Sequence, residues 1–181
     1  MAAFTVIGHQ ELGASAATIT FASIPSTYDH LYLTGSLRTN QAAYTSLVDW
    51  AFNNDTTTTN YSHTVLRGYA QGSSGVTSWR ADTASGSGQL ALMAPGTSVL
   101  ADTFGTFTAW IPNYANTTNF KQAIISATVP NNSTTNSEWR VAQWALLWHA
   151  AAAVSEIDLT VDNGSNFVQY SNLTLYGITG A

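Results

Sequence analysis

Hydrophobic and polar residues alternate with a period of two along much of this chain, whereas the 3.6-residue period of an amphipathic helix is almost absent. The alternation is clearest over residues 30–38, where Leu31, Leu33 and Leu37 share one face and tyrosine, threonine and serine share the other. Residues 155–161 repeat it with isoleucine, leucine and valine. Such segments are typical of strands with one buried face.

Further segments with strand character follow one another at short intervals, separated by clusters of Ser, Thr, Asn, Gly and Pro. We predict strands over residues 4–8, 17–21, 47–53, 61–68, 89–93, 102–111, 120–129, 139–149 and 167–178. Many short strands joined by polar turns favour a β-sandwich or barrel. The chain shows no repeat, linker or break in composition, so we expect one all-β domain over residues 1–181.

Three connections carry local predictions of their own. Asp162-Asn163-Gly164 predicts a tight hairpin turn that joins 155–161 to the strand after it, because both central positions of such a turn need positive φ. Residues 68–88 are predicted to form a long polar loop, either a flexible tip or an arm that faces a partner. Residues 139–154 are interpreted as a strand, with a short helix over 150–153 as the alternative, because alanine favours helices.

The charge of the chain narrows its possible partners. Asp, Glu, Lys and Arg make up 8% of the residues, against about 25% in an average globular protein. The net charge is −5, and the basic residues are scattered: Arg38, Arg67, Arg80, Lys121 and Arg140. Because affinity for nucleic acid comes mostly from phosphate neutralisation, we predict no nucleic-acid partner.

Other features exclude further classes. The chain has no cysteine, and therefore no disulfide frame or thiolate ligand set. We find no signal-peptide pattern at the N-terminus and no apolar run that approaches the roughly 18 residues of a membrane helix. We therefore expect synthesis in a cytoplasm and no membrane partner.

Candidate catalytic residues are few, and none forms a recognisable motif. The four histidines (His9, His30, His63 and His149) are spread along the chain, and no Gly-x-Ser-x-Gly elbow accompanies them. Two acidic pairs, Glu138 with Glu156 and Asp49 with Asp102, are the candidates for a glycosidase, since that chemistry needs two close carboxylates. No metal-binding motif occurs. We interpret all these residues as surface or strand-end groups and predict no catalytic site, no cofactor and no metal.

One aromatic residue stands out as a candidate ligand contact. Trp79 lies beside Arg80 in the segment predicted as a polar loop, whereas most other tryptophans fall in predicted strands. An exposed indole can stack on a sugar ring. Trp79 and Arg80 are therefore the candidate residues for glycan binding.

Several short motifs, in order along the chain, resemble a widespread group of virion proteins of tailed bacteriophages. They are Phe21-x-x-Ile-Pro25 followed by Tyr28 and the strand 30–38, the pair Asn60-Tyr61, the segment Ile111-Pro-Asn-Tyr-Ala-Asn116, and Leu175-Tyr-Gly-Ile178. The resemblance implies a jelly-roll-like antiparallel β-sandwich that forms part of a virus particle.

From this resemblance we expect a non-enzymatic structural protein, a capsid decoration (cement) protein that binds the major capsid protein or other virion proteins and stabilises the assembled capsid. We expect it to be located in the virion and to act as a homo-oligomer such as a trimer. The alternative is a tail, fibre or baseplate component that binds host-surface glycan through Trp79 and Arg80. A glycan hydrolase is the third hypothesis.

Overall fold

The computed structural model describes residues 3–71, 73–81, 92–131 and 139–180, and these residues form twelve strands. The strands are β1 (Ala3–Glu11), β2 (Thr18–Phe21), β3 (His30–Leu37), β4 (Thr45–Phe52), β5 (Tyr61–Gln71), β6 (Ser73–Ala81), β7 (Leu92–Pro95), β8 (Gly105–Pro112), β9 (Lys121–Val129), β10 (Trp139–Trp148), β11 (Ile157–Val161) and β12 (Asn172–Thr179). Two short 3-10 turns, Thr58–Asn60 and Asp162–Gly164, complete the regular structure. The described part of the chain contains no helix long and apolar enough to span a membrane.

Two antiparallel sheets pack face to face. The large sheet has eight strands in the order β1-β12-β3-β8-β9-β10-β5-β6, and the small sheet has four in the order β2-β11-β4-β7. Strands β1, β12, β3 and β8 together with the small sheet follow the order of an eight-stranded jelly roll, in which the chain passes repeatedly from one sheet to the other. The predicted all-β fold and the implied jelly-roll-like sandwich are both confirmed.

The remaining four strands are two hairpins inserted into this jelly roll. The hairpin β5–β6 lies between β4 and β7 in the chain, and β9–β10 lies between β8 and β11. Strand β9 pairs with β8, and β10 pairs with β5, so the two hairpins extend the large sheet beyond the jelly roll. We call these four strands the extension.

The core between the sheets is built from the apolar positions that alternate along the strands. Trp50 of β4 lies edge-on to Phe52, with ring centroids 5.4 Å apart, and is stacked over Phe107 of β8 at 6.1 Å. Phe52 also contacts Trp148 of β10 at 5.5 Å. Because a buried aromatic side chain removes 150–250 Å² from water, this aromatic cluster provides much of the stability of the sandwich.

Two local predictions are wrong. Strand β6 (Ser73–Ala81) occupies much of the segment predicted as a loop over 68–88, of which residues 72 and 82–88 lie outside the described residues. The turn at Asp162–Gly164 has the expected positive φ at Asn163 (57°) and Gly164 (68°), but it does not close a hairpin. Strand β11 pairs with β2 and β4, whereas β12 pairs with β1 and β3 in the other sheet, because the jelly roll changes sheet at this point.

The other predicted strands agree better with the structure. Residues 139–148 form strand β10, and the alternative helix over 150–153 is absent from this described segment. Of the predicted strand 89–93, residues 89–91 lie outside the described residues, and β7 begins at Leu92.

Most of the motifs behind the resemblance meet at one end of the sandwich. The fully buried Tyr114 donates its hydroxyl to the carbonyl oxygen of Pro25 and accepts a hydrogen bond from the backbone N–H of Tyr28 at 3.4 Å. The ring of Tyr28 lies on Gly177, where a Cβ would be 2.3 Å from the ring. The backbone of Tyr114 also accepts from the N–H of Val154 at 2.9 Å. These motif residues therefore have a structural role.

Candidate interaction surface

The outer face of the large sheet is a continuous surface that crosses all eight strands. Residues directly opposite each other in an antiparallel pair point to the same side, so the register defines rows of neighbouring side chains. One row runs from β1 to β6 through Val6, Tyr176, Tyr32, Trp110, Ile124, Ala145, Thr64 and Arg80. The next row runs through His9, Thr174, Thr34, Thr108, Ser126, Gln143, Leu66 and Ser78.

These rows bring residues of one kind together. The first contains three aromatic side chains on consecutive strands, and the second contains four hydroxyl side chains on consecutive strands. His9 continues the hydroxyl row, since its Nδ1 lies 2.8 Å from Oγ1 of Thr174.

The outer face is almost free of charge. On the six strands between the two edges of the sheet, no outward-facing residue among those described is Asp, Glu, Lys or Arg. Glu11 on β1 and Arg80 on β6 stand at the opposite edges. A surface of this kind makes contacts that depend little on salt.

The outer face of the small sheet is different, because it is acidic. Asp49 of β4 and Asp158 of β11 both point outward, and Oδ1 of Asp158 accepts a 2.5 Å hydrogen bond from Thr20. Partial burial and, secondarily, the negative charge of Asp162 raise the pKa of Asp49 to about 6. The sandwich therefore has an acidic face and an uncharged face on opposite sides.

The uncharged face itself has two chemically distinct halves. On the jelly-roll half, the ring of Phe4 is 61% exposed and lies edge-on to Tyr32 and Tyr176, with centroids 6.1 and 6.0 Å away. His30 contacts Trp110 on the same half at 5.0 Å. Aromatic and hydroxyl groups dominate this half.

On the extension, the outer face carries aliphatic side chains that protrude into solvent. Leu66 is 54% exposed, Val141 58%, Val76 72% and Ile124 47%. We call these four residues the hairpin patch. Gly68 pairs with both Val141 and Val76, so three strands contribute to one contiguous apolar area. Exposed apolar patches of several hundred Å² on monomers often mark interaction sites.

The structure separates the two residues predicted to bind glycan. Trp79 and Arg80 are consecutive in β6 and point to opposite faces of the large sheet. Trp79 is 41% exposed on the inward side, where the guanidinium of Arg67 lies 4.8 Å from its ring centroid. The same guanidinium lies 5.6 Å from the ring of Tyr69. The cation beside Trp79 is therefore Arg67.

Arg80 lies on the outward side and lines an open hollow of about 550 Å³ together with Ser62, Gln122 and His149. Oγ of Ser62 is 3.3 Å from Nε2 of His149, whose ring is stacked on Phe120 at 5.8 Å. Nucleophilic catalysis by such a pair needs a third group that orients the histidine. The described residues provide no carboxylate hydrogen-bonded to His149.

Of the two predicted acidic pairs, the structure describes both members only of Asp49 with Asp102. Asp49 lies on the small sheet, and Asp102 lies in a turn before β8 with φ of 60°. Glu156 precedes β11, and its partner Glu138 lies outside the described residues. Partial burial and the neighbouring Asp158 raise the pKa of Glu156. Within the described ranges, no three His, Asp or Glu side chains come close enough to hold a metal ion.

The polar connection 53–60 is organised by Asp55. Its Oδ2 accepts hydrogen bonds from Trp148 Nε1 at 2.7 Å and Asn60 Nδ2 at 2.8 Å, and its Oδ1 accepts from the N–H of Thr57 at 3.0 Å. Burial acts to raise the pKa of Asp55, but these hydrogen bonds outweigh it and hold the pKa below its usual value.

The surface rows and the hairpin patch are features that the sequence analysis missed. Alternation was visible within most of the strands, although not within β6, but the register that aligns eight strands is a tertiary property. The comparisons with known proteins give no further assignment, since no family model, no curated protein and no solved structure matches the chain.

Proposed function

We propose that this chain is a non-enzymatic structural protein of a bacteriophage particle, which binds the assembled capsid as a decoration protein through the jelly-roll half of the outer face of its large sheet. The observation that carries the proposal is the difference between the two outer faces. One face spans eight strands and, among the described residues, carries no Asp, Glu, Lys or Arg on the six strands between its edges, whereas the opposite face carries the acidic groups Asp49 and Asp158. A protein that covers a lattice needs one docking face and one face that stays hydrated.

The jelly-roll half of the uncharged face suits contact with a protein lattice. Aromatic side chains such as Tyr32, Tyr176 and Trp110 provide large contact area at a small cost in side-chain entropy. Hydroxyl groups of the neighbouring row offer hydrogen bonds with no charge to desolvate. The jelly-roll topology, which is common in capsid and lectin domains, and the resemblance of the motifs to phage virion proteins support the same proposal.

The mechanism that we propose is mechanical. A protein that binds the assembled lattice, and does not bind free capsid subunits, stabilises the lattice by mass action. If the protein acts as a homo-oligomer, each oligomer contacts several lattice positions, and weak single contacts then combine into durable attachment.

Copy number is the first test of this proposal. Quantitative mass spectrometry of purified particles measures the copy number of this chain relative to the major capsid protein. We expect a ratio near one to one, or another simple fraction set by the symmetry of the capsid lattice. A ratio of a few per cent would favour a tail or fibre component instead, and absence from the particle would overturn both assignments.

A pair of variants tests the surface itself. Thr108→Asp places a charge in the middle of the hydroxyl row, and we expect it to abolish binding to capsids that lack the protein. Leu100→Asp changes a side chain that is 59% exposed in the loop before β8, and it should bind normally. Circular dichroism verifies that both variants fold, and equal binding by the two would refute the assigned surface.

A second candidate function is glycan binding by a tail or fibre component, and the group formed by Trp79, Arg67 and Tyr69 favours it. An exposed indole stacks on sugar rings, and a guanidinium donates hydrogen bonds to hydroxyl or carboxylate groups of a saccharide. On a glycan array, this function predicts binding that Trp79→Ala removes. Trp139→Ala is the control, because Trp139 is 45% exposed on the other side of the sheet.

A further inference from the structure

The hairpin patch on the extension has the composition of an interface core. Leu66, Val76, Ile124 and Val141 come from four adjacent strands, and each is about half exposed or more. Surface residues at the core of protein interfaces are depleted in charge, as this patch is. Arg80 stands at one corner of the area.

We propose that the hairpin patch is the self-association surface of the protein, where a second copy packs its own extension face to face about a two-fold axis. This inference concerns a different half of the sheet from the proposed capsid contact and stands independently of it. A two-fold contact brings each patch against itself, and an uncharged aliphatic patch is complementary to its own copy. A strongly charged surface would repel its copy in the same arrangement.

The alternation of large and small side chains in the patch also suits packing against a second sheet. Small residues adjoin the protruding aliphatic side chains: Gly68 lies between Val141 and Val76, and Ser78 and Ala145 lie beside Leu66 and Ile124. An open hollow of about 440 Å³ adjoins the patch beside Val141 and Trp139. Two sheets that pack about 10 Å apart need this alternation of large and small side chains to interdigitate.

The area of the extension reaches the lower limit for a specific contact. Four strands spaced about 4.8 Å apart cover roughly 19 Å, and the outward residues of β10 span about 27 Å along the strand. The outer face of the extension therefore has an area on the order of 500 Å² in each copy. The pair would bury about 1,000 Å² in total, without the additional surface of the protruding side chains. A specific interface needs about this total.

The centre of the patch identifies the best positions for a test. Leu66 and Gln143 are paired across β5 and β10, in the middle of the extension. Leu66→Asp would place two negative charges close together across the proposed axis. Light scattering after size exclusion, at about 100 µM protein, should show a dimer for the native chain and a monomer for Leu66→Asp, with at least a tenfold weaker association.

Thr108→Asp is the matched control, because it introduces the same charge on the jelly-roll half of the same face, and it should remain dimeric. A native chain that is monomeric at this concentration overturns the proposal, as does a dimer that survives Leu66→Asp. A trimer also overturns it, since a two-fold contact closes after two copies.

A second measurement covers the case in which Leu66→Asp does not fold. The chain has no cysteine, so single cysteines can be introduced cleanly. Leu66→Cys should form a disulfide-linked dimer under mild oxidation, whereas Phe4→Cys, on the other half, should stay monomeric on a denaturing gel. Equal cross-linking of both would refute the assigned surface.

Discussion

The hydroxyl of Tyr114, which lies between β8 and β9, is hydrogen-bonded to the segment between β2 and β3, and its removal should destabilise the fold measurably. Tyr114→Phe keeps the ring in its fully buried position but deletes the hydrogen bond to the Pro25 carbonyl and the one from the Tyr28 N–H. Burial raises the pKa of this phenol, so the hydroxyl stays protonated and able to donate. Loss of two hydrogen bonds of unequal quality should cost about 2 kcal/mol.

Urea unfolding followed by tryptophan fluorescence measures this cost, because Trp50 and Trp144 are almost fully buried. With an m value of roughly 2 to 3 kcal/mol/M, the midpoint should fall by about 0.7 to 1 M while m stays unchanged. Tyr170→Phe removes the hydroxyl of a side chain that is 62% exposed, and it should leave the midpoint in place. If both variants shift the midpoint equally, the structural role assigned to Tyr114 is wrong.

Three further predictions concern other parts of the sandwich. The pKa of Asp49 in the folded protein is about 6, above the ordinary value of 3.8. The protonated carboxyl therefore favours folding. Its contribution to the free energy of unfolding is complete below pH 3.8 and is lost as the pH rises through 6. Asp49→Asn should consequently stabilise the protein at pH 8 by about 1 kcal/mol after allowance for solvent screening, with no gain at pH 3.5. Thermal unfolding at both pH values measures the gain. An equal gain at the two pH values would contradict the prediction. Gly177→Ala should lower the unfolding free energy by more than about 2 kcal/mol in urea, since its Cβ would be 2.3 Å from the ring of Tyr28. Asp55→Ala leaves the indole N–H of the buried Trp148 without its acceptor, and it should lower the unfolding free energy by about 1 to 2 kcal/mol in the same assay. A decrease below about 0.5 kcal/mol would mean that water replaces the carboxylate.

The fold class followed from the sequence because period-two alternation is a local signal. In β3, Leu31, Leu33 and Leu37 are all buried, as the pattern predicted. Strand β6 gave no such signal, because its residues 75–80 are all exposed or half-buried and the strand is rich in serine and threonine. The turn at 162–164 was recognised correctly as a turn, but the strand that follows it is placed by the jelly roll and not by the turn.

The candidate surface could be predicted only in part, because its residues become neighbours through strand pairing. Trp79 was selected because it lies beside Arg80 in a segment predicted as a polar loop, and it is 41% exposed. Its neighbour across the sheet, Arg67, is twelve positions away in sequence and approaches only through the pairing of β5 with β6. The hairpin patch likewise depends on three registers at once, those of β9 with β10, β10 with β5 and β5 with β6. Local patterns predict which residues point outward, whereas only the pairing of strands determines which of them are neighbours.

The position of β12 has a consequence for biosynthesis. This strand lies between β1 and β3, although it follows both of them in the chain. While a ribosome makes the intervening residues, β1 and β3 have no partner between them, and their unpaired edges can pair with other chains. Sheet closure waits for contacts between residues that are far apart in sequence, such as Ala3 with Thr179, and folds of this kind form slowly. High expression at elevated temperature should therefore increase aggregation of nascent chains even where the finished protein is stable.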